Sequence, residues 1–233
     1  MEITYLYHSG FAVRIDDAAL VFDYYKDTGV EGKGVRDIIA PAEKVYFFVS
    51  HSHFDHFNPE IADFKKDLVF LSDEVESQYE EPERAIFVPK GKICTLDELS
   101  VTAFGSTDCG ASFYVKYKGV SVFHAGDLNN WHWNEQVDEN AARASENEFL
   151  RELQLIKNNV EPPIDVVIFA VDSRLGKDCG RGAEQFISEI ETKVFVPMHA
   201  WDDYDGANAF EKTAEKYGAK FFAITKKGDT LKI

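Results

Sequence analysis

The sequence lacks the cysteine pattern of a disulfide framework or of a thiolate zinc site. Its three cysteines, Cys94, Cys109 and Cys179, are an odd number and include no C-x-x-C pair, so we interpret them as reduced thiols. It also lacks any apolar run of about 18 residues or more, the length of a membrane span. The opening residues, MEITYLYHSG, have none of the basic, apolar and small-residue parts of a signal peptide. These absences predict a cytoplasmic protein that does not enter a membrane.

Positive charge is scarce in this sequence. Its 233 residues include 25 Lys and Arg against 41 Asp and Glu, which gives a formal net charge of −16 at pH 7. Nucleic acids and anionic membranes usually bind faces rich in Lys and Arg. The charge therefore argues against both of these partners and favours a small-molecule substrate, while a homo-oligomer is compatible with the sequence.

The chain also lacks Ser/Gly-rich or Pro-rich linkers and internal repeats. Because a chain of this length can bury a full core, we predict a single domain over residues 1–233. Strand-like segments fill the first half, among them EITYLYHSGFAVRID, KVYFFVS, SFYVKY and VSVFHAGD. The first half is therefore predicted to consist mainly of β-structure.

The second half changes to a helical period. The residues from Asn134 to Asn158 predict one long amphipathic helix, and GANAFEKTAEKYG predicts another. The buried strands DVVIFAVD and KVFVPMH flank the helix GAEQFISEIE, and the strands KFFAIT and DTLKI close the chain. Meanders followed by β-α-β units indicate two sheets with helices outside them. The predicted fold class is α/β, a four-layer αββα sandwich.

Metal-binding residue types are concentrated in SHSHFDHF, residues 50–57. In an extended segment, residues i, i+2 and i+4 face one way, so His51, His53 and Asp55 can converge while a turn brings His56 round. Three further predicted strands end in similar residues, within FHAGD, FAVDS and VPMHAW, and strand ends of this kind line ligand-binding crevices. Imidazole and carboxylate groups are ligands of catalytic zinc. This pattern predicts a metal site rather than surface histidines in a loop.

The spacing H-x-H-x-D-H over residues 51–56 resembles the signature of the metallo-β-lactamase superfamily. Asp127, in HAGD, matches the aspartate that bridges two metals in that family, and His199, in VPMHAW, matches its late histidine. The opening YLYHSGFAVRIDDAALVFDYY is similar to the branch of ascorbate-6-phosphate lactonase, which implies that His8 and Asp23 lie near the metals. The fold that the resemblance implies is again αββα.

One family ligand is missing from this sequence. The third-motif histidine is expected within TAFGSTDCGASFYV, which contains no histidine. His124, nearby, is interpreted as a supporting side chain, although ligation stays open. Asp108 is the best replacement ligand, because neutral hydroxyls such as those of Ser106 and Thr107 bind zinc poorly compared with a carboxylate.

The resemblance implies two metal positions that share one carboxylate. The ligands of the first are His51, His53, Asp108 and Asp127. The ligands of the second are Asp55, His56, Asp127 and His199. Zinc is the expected metal, as one or two ions, and a carboxylate in place of an imidazole shifts the first position towards manganese or iron. One ion held in the second position, with a weaker partner in the first, stays open.

The function implied is hydrolysis by a metal-bound hydroxide, since two metals about 3.5–4 Å apart lower the pKa of a shared water towards 7. Asp55 is predicted to accept a proton from this water or to orient it. His8 either stabilises charge on the substrate or is a hydrogen-bonded loop residue. The alternative function is a metal-binding protein with reduced catalysis and a ligand-sensing role.

The substrate is predicted to be a small anionic metabolite, a lactone or a phosphodiester. Arg174, Lys177 and Arg181 lie beside a predicted strand end and could bind a phosphate or carboxylate. Asp172, in the same stretch, is either a further ligand or a turn-capping residue. Aromatic residues close to the metal motifs, either a pocket wall or ordinary packing, are Tyr24, Tyr25, Trp131, His132, Trp133 and Trp201.

Overall fold

Two mixed β-sheets form the centre of the molecule. The computed structural model describes residues 1–64, 66–72, 75, 79 and 82–233. The strands of the first sheet are β1 (Glu2–Tyr7), β2 (Gly10–Ile15), β3 (Ala18–Phe22), β4 (Lys44–Val49), β5 (Leu68–Leu71), β6 (Ala85–Phe87) and β14 (Thr230–Lys232). Their order is β14-β1-β2-β3-β4-β5-β6, antiparallel from β14 to β3 and parallel from β3 to β6.

In the part of the chain that the structure describes, the second sheet also has seven strands, and it too combines an antiparallel part with a parallel part. Its strands are β7 (Ile93–Leu96), β8 (Leu99–Phe104), β9 (Ser112–Tyr117), β10 (Val120–His124), β11 (Ile164–Ala170), β12 (Thr192–Met198) and β13 (Lys220–Phe221). They lie in the order β13-β12-β11-β10-β9-β8-β7, parallel from β10 to β13 and antiparallel from β7 to β10.

Helices cover the outer faces of both sheets. They are α1 (Val35–Ile39), α2 (Glu139–Lys157), α3 (Arg181–Glu189), α4 (Tyr204–Asn208) and α5 (Glu211–Lys216), with 3-10 turns at Pro59–Asp63, Pro82–Arg84 and Ser173–Asp178. Between the sheets the core is aromatic: the rings of Phe48 and Phe113, one from each sheet, are 5.8 Å apart. Outside, Phe149 of α2 packs on Phe169 of β11. This arrangement confirms the predicted four-layer αββα fold.

Some predicted element boundaries differ in the structure. The long helix begins at Glu139 rather than Asn134, because the carboxylate of Asp138 caps it by accepting from the backbone N–H groups of Asn140 and Ala141. The segment predicted as one helix, GANAFEKTAEKYG, forms parts of α4 and α5. The break falls at Phe210, whose buried ring packs on Phe195, 4.7 Å away.

The two closing strands belong to different sheets. β13 extends the second sheet beside β12, whereas β14 pairs with β1 in the first sheet. Among the described residues, no helix combines the length and the apolar character that a membrane span requires.

Candidate metal centre

Polar side chains from both sheets meet where the parallel strands end. A polar segment that contributes to this crevice directly follows each of five strands, β3, β4, β10, β11 and β12. The β1–β2 turn lies beside these segments. Ionisable side chains in this crevice that are no more than 5% exposed are His8, Asp23, His51, His56, His124, Asp127, Asp172 and His199. Buried charges require partners or a metal, so this concentration marks a candidate functional centre.

The carboxylate of Asp127 lies at the middle of this centre. Its Oδ2 is 3.3 Å from Nε2 of His51. Its Oδ1 is 3.1 Å from Nε2 of His56 and 3.4 Å from Nε2 of His199. The Nε2 atoms of His51 and His56 and the Oδ1 atom of Asp127 are buried without a well-aligned hydrogen bond. These atoms are therefore available to a ligand that all of them could share.

Asp23 orients two of these imidazoles. His56 donates from Nδ1 to Oδ2 of Asp23 over 2.7 Å. The hydroxyl of Ser50 donates to the same oxygen over 2.7 Å and accepts from Nδ1 of His51 over 2.9 Å. A proton fixed on Nδ1 leaves a lone pair on Nε2, which is the form that binds a metal. Each of the two imidazoles, once neutral, thus presents a basic nitrogen towards Asp127.

Asp172 orients the third imidazole. His199 donates from Nδ1 to Oδ2 of Asp172 over 2.8 Å, so its Nε2 faces Asp127 and is the nitrogen that a metal could bind once the ring is neutral. Asp172 in addition caps the following turn through the backbone N–H of Arg174 and pairs with the Arg174 guanidinium. Burial raises the pKa of Asp172, but His199 and Arg174 hold it below its usual value. Asp172 therefore contacts the candidate ligand His199 at the ring nitrogen that does not face Asp127.

His8 has a different hydrogen-bonding pattern. It lies in the β1–β2 turn with φ of 57°, and its Nδ1 accepts from the backbone N–H of Trp201 over 3.3 Å. Burial lowers the pKa of His8 to about 4, so the ring is neutral and its proton lies on Nε2. That nitrogen is 3.3 Å from Oδ2 of Asp55. His8 thus presents a donor to the centre, which suits contact with a carboxylate or a substrate oxygen.

His124 uses both ring nitrogens within the protein. Its Nε2 donates to the carbonyl of Ser9 over 2.9 Å, and its Nδ1 accepts from the backbone N–H of Gly126 over 3.2 Å. The ring stacks on Phe22 with centroids 5.1 Å apart. His124 therefore supports the turn that carries Asp127.

The donors present fit a metal. Two groups of candidate ligand atoms, each lying within 4.8 Å of one another, are His8, Asp55, His56 and His199, and His51, His56 and Asp127. Buried Nε2 atoms without a partner, with their opposite nitrogens anchored, are what a preformed metal site requires. Residues 2–142, more than half of the chain, match the family model described as a β-lactamase superfamily domain. The chain belongs to the metallo-β-lactamase superfamily.

Solved structures with this superfamily fold include several similar proteins. Igni18 from Ignicoccus hospitalis, described as a novel metallo hydrolase, is 18% identical with a TM-score of 0.72, covering 99% of this chain and 97% of Igni18. A putative metal-dependent hydrolase from Parabacteroides distasonis is 14% identical, with a TM-score of 0.65 and coverages of 97% and 93%. No curated protein sequence matches the chain.

One similar structure belongs to a larger protein. CmlA, a diiron β-hydroxylase from Streptomyces venezuelae, is 13% identical with a TM-score of 0.67, and the match covers all of this chain but 54% of CmlA. At identities this low the likeness shows the fold. The chain therefore shares its fold with proteins named as metal-dependent hydrolases and with a diiron protein.

The segment in which the third-motif histidine of the superfamily is expected contains candidate ligands in the structure. Candidate ligand atoms of His53, Asp108 and Cys109 lie within 4.8 Å of one another. The His53 ring is 4.5 Å from the ring of His51, which joins this group to the Asp127 centre. His53 and Asp108 thus come together as the sequence predicts, but in a group that does not include Asp127. Cys109, which the sequence marks only by its place beside Asp108, lies with them.

An aromatic rim borders the centre. Phe54 is 69% exposed, and its ring lies 5.8 Å from Tyr25 and 6.4 Å from Trp201. The indole Nε1 of Trp201 is buried without a hydrogen-bond partner. On the other side, the ring of Trp131 is 5.4 Å from that of His199. A ligand at this rim would meet apolar rings.

The three basic residues predicted near the centre are separated. Arg174 lies at the centre beside Asp172 and His199. Lys177 and Arg181 instead line a separate cavity of about 400 Å³. Of the three, Arg174 alone contacts the group around Asp127.

Metal binding is expected to release protons at neutral pH. Burial lowers the pKa of His56, but Asp127 and Asp23 outweigh it and raise the pKa to about 10 in the metal-free protein. Because a ligand imidazole must be neutral, loading displaces about one proton from His56, and apparent affinity should rise roughly tenfold per pH unit below pH 10. Calorimetric titration with zinc in buffers of different ionisation enthalpy measures this release. An affinity that does not change between about pH 7 and 9 would contradict the assignment.

Proposed function

We propose that the protein is a metal-dependent hydrolase that acts on a small anionic metabolite, a lactone or a phosphodiester. The main support is the Asp127 carboxylate surrounded by three imidazole Nε2 atoms, each oriented by a hydrogen bond at its other nitrogen. The residues proposed to hold one or two ions, most simply zinc and otherwise manganese or iron, are His51, His53, Asp55, His56, Asp108, Asp127 and His199. Such ions supply Lewis acidity and lower the pKa of a bound water.

Asp55 and His8 are proposed to handle the attacking water and the substrate. Burial raises the pKa of Asp55, but His8 and His56 lower it to about 2, so its carboxylate is ionised at neutral pH. A carboxylate with so low a pKa is a weak base, and Asp55 is therefore better suited to orient water than to remove its proton. His8, neutral with a proton on Nε2, donates to an oxygen that gains negative charge.

The anionic character of the substrate is inferred from Arg174. Its side chain is 52% exposed, and Asp55 and Asp127 both interact with its charge. A guanidinium in this position can bind a carboxylate or phosphate group of a substrate whose reacting carbonyl or phosphoryl would lie beside Asp127. The similarity of YLYHSGF to the ascorbate-6-phosphate lactonase branch supports a lactone. The net charge of −16 argues against a nucleic acid or an anionic membrane as partner.

Turnover by the reconstituted protein tests this proposal. Chelator-treated protein is reloaded with zinc, manganese or iron(II) and assayed on matched neutral and anionic lactones and phosphodiesters. We expect hydrolysis that depends on metal, with a lower KM for the anionic members. Arg174→Gln should raise KM for these about tenfold or more, whereas Lys177→Gln, its control in the separate cavity, should not. If fully loaded protein hydrolyses neither class, the ligand-sensing alternative replaces the enzyme.

A further inference from the structure

The loop that carries Cys109 is held tightly against the end of β4. The backbone N–H of Ala111 donates to the carbonyl of Ser50 over 2.9 Å. Gly110 has φ of +68°, and a Cβ at this position would lie 2.0 Å from the same carbonyl oxygen and 2.5 Å from Cβ of His51. Only glycine permits this approach, so Gly110 brings the preceding residue, Cys109, to the H-x-H segment.

The same loop is also held on its other side. Thr107 donates from Oγ1 to the carbonyl of Asn129 over 2.6 Å and accepts from the backbone N–H of Asn129 over 2.9 Å. Asn129 follows Asp127 by two residues. The loop is therefore joined both to the segment that carries His51 and to the segment that carries Asp127, and the position of Cys109 is set by the two.

We propose that Cys109 supplies a thiolate metal ligand, together with His53 and Asp108, in place of the missing third-motif histidine. Ligand atoms of the three residues lie within 4.8 Å of one another, and the adjoining His51 has a buried Nε2 without a partner. Sulfur, nitrogen and oxygen donors together suit zinc. A thiolate disfavours manganese, which reverses the metal preference expected from Asp108 alone. This inference rests on the proposed metal centre.

The other two cysteines provide internal controls. Cys94 lies in β7, and Cys179 lines the separate cavity with Lys177. Burial raises the pKa of both thiols, which keeps them protonated at neutral pH. Neither belongs to a group of candidate metal ligands among the described residues. Zinc should leave their reactivity unchanged.

Site-resolved alkylation is the first test. Metal-free and zinc-loaded proteins are treated with N-ethylmaleimide, and the labelling rate of each cysteine is followed by peptide mass spectrometry. Because coordination removes the sulfur lone pair from reaction, zinc should slow labelling of Cys109 about tenfold or more while Cys94 and Cys179 change little. Labelling of Cys109 at an equal rate in both states would overturn the proposal.

Cobalt(II) substitution is the second test, because a thiolate ligand adds a charge-transfer absorption in the near ultraviolet. Cys109→Ala should remove this band, and Asp108→Asn should keep it. Cys109→His, which restores the ligand type of the superfamily, should keep the metal content but lose the band. This variant separates loss of the thiolate from loss of the site.

Elemental mass spectrometry of the same samples separates two kinds of failure. If the chain takes up no metal, the proposed metal centre and this inference both fail. If it takes up metal but lacks both the cobalt–thiolate band and the protection of Cys109, the inference alone is overturned and the hydrolase proposal stands.

Discussion

Asp127→Asn is expected to abolish tight metal binding and to lower kcat/KM by about a thousandfold or more. The carboxylate lies within 3.1–3.4 Å of three imidazole nitrogens, and an amide would remove its charge and direct N–H groups at some of them. Metal content after dialysis and kcat/KM on the best substrate measure the effect. The loss should fall first on the ion proposed to bind His51, His56 and His199, because their Nε2 atoms surround this carboxylate.

Asp165→Asn is the matched control for this change. Asp165 lies at the other end of β11 from the centre, where it binds Ser121 and Lys193. Its replacement should leave metal content unchanged. Full metal occupancy in Asp127→Asn would contradict the arrangement proposed for the centre.

Gly110→Ala is expected to destabilise the protein by about 3 kcal/mol or more. Two costs add: the left-handed φ of +68°, and a Cβ placed 2.0 Å from the carbonyl oxygen of Ser50. The free energy of unfolding from urea titration measures their sum. Metal-free protein is used, so that loss of metal does not add to the result.

Gly91→Ala separates the two costs. Gly91 has φ of +74°, and a Cβ there would meet nothing within 4 Å, so this variant measures backbone strain alone, about 1 kcal/mol. The difference between the two variants is the cost of moving the Cys109 loop from β4. Equal destabilisation by Gly110→Ala and Gly91→Ala would mean that the Cys109 loop moves away from β4 without a measurable cost in free energy.

The layers of the fold could be predicted from local pattern. Apolar runs such as KVYFFVS form central strands, and the change from strands to alternating strands and helices in the second half corresponds to the parallel half of the second sheet. Helix breaks were less predictable. The interruption at Phe210 depends on its packing against Phe195, a contact that the helical period of the segment does not contain.

The composition of the centre was easier to predict than its internal contacts. Residues at strand ends, such as Asp127 and His199, could be identified because their segments follow buried strands directly. Two internal contacts could not be predicted, because they are hydrogen bonds between segments distant in sequence. One joins Asp172 to His199, and the other fixes the position of the proton on His8. The place of Cys109 beside His53 could not be predicted for the same reason, because it depends on the contact of Gly110 with the end of β4.

The centre draws its side chains from both sheets. His51 and His56 follow β4 of the first sheet, whereas Asp127 and His199 follow β10 and β12 of the second. A shared ion would therefore cross-link the two halves of the sandwich and close two loops in the unfolded chain, from His56 to Asp127 and from Asp127 to His199. In a chain whose described cysteines form no disulfide, catalysis and mechanical joining of the sheets would depend on the same few atoms.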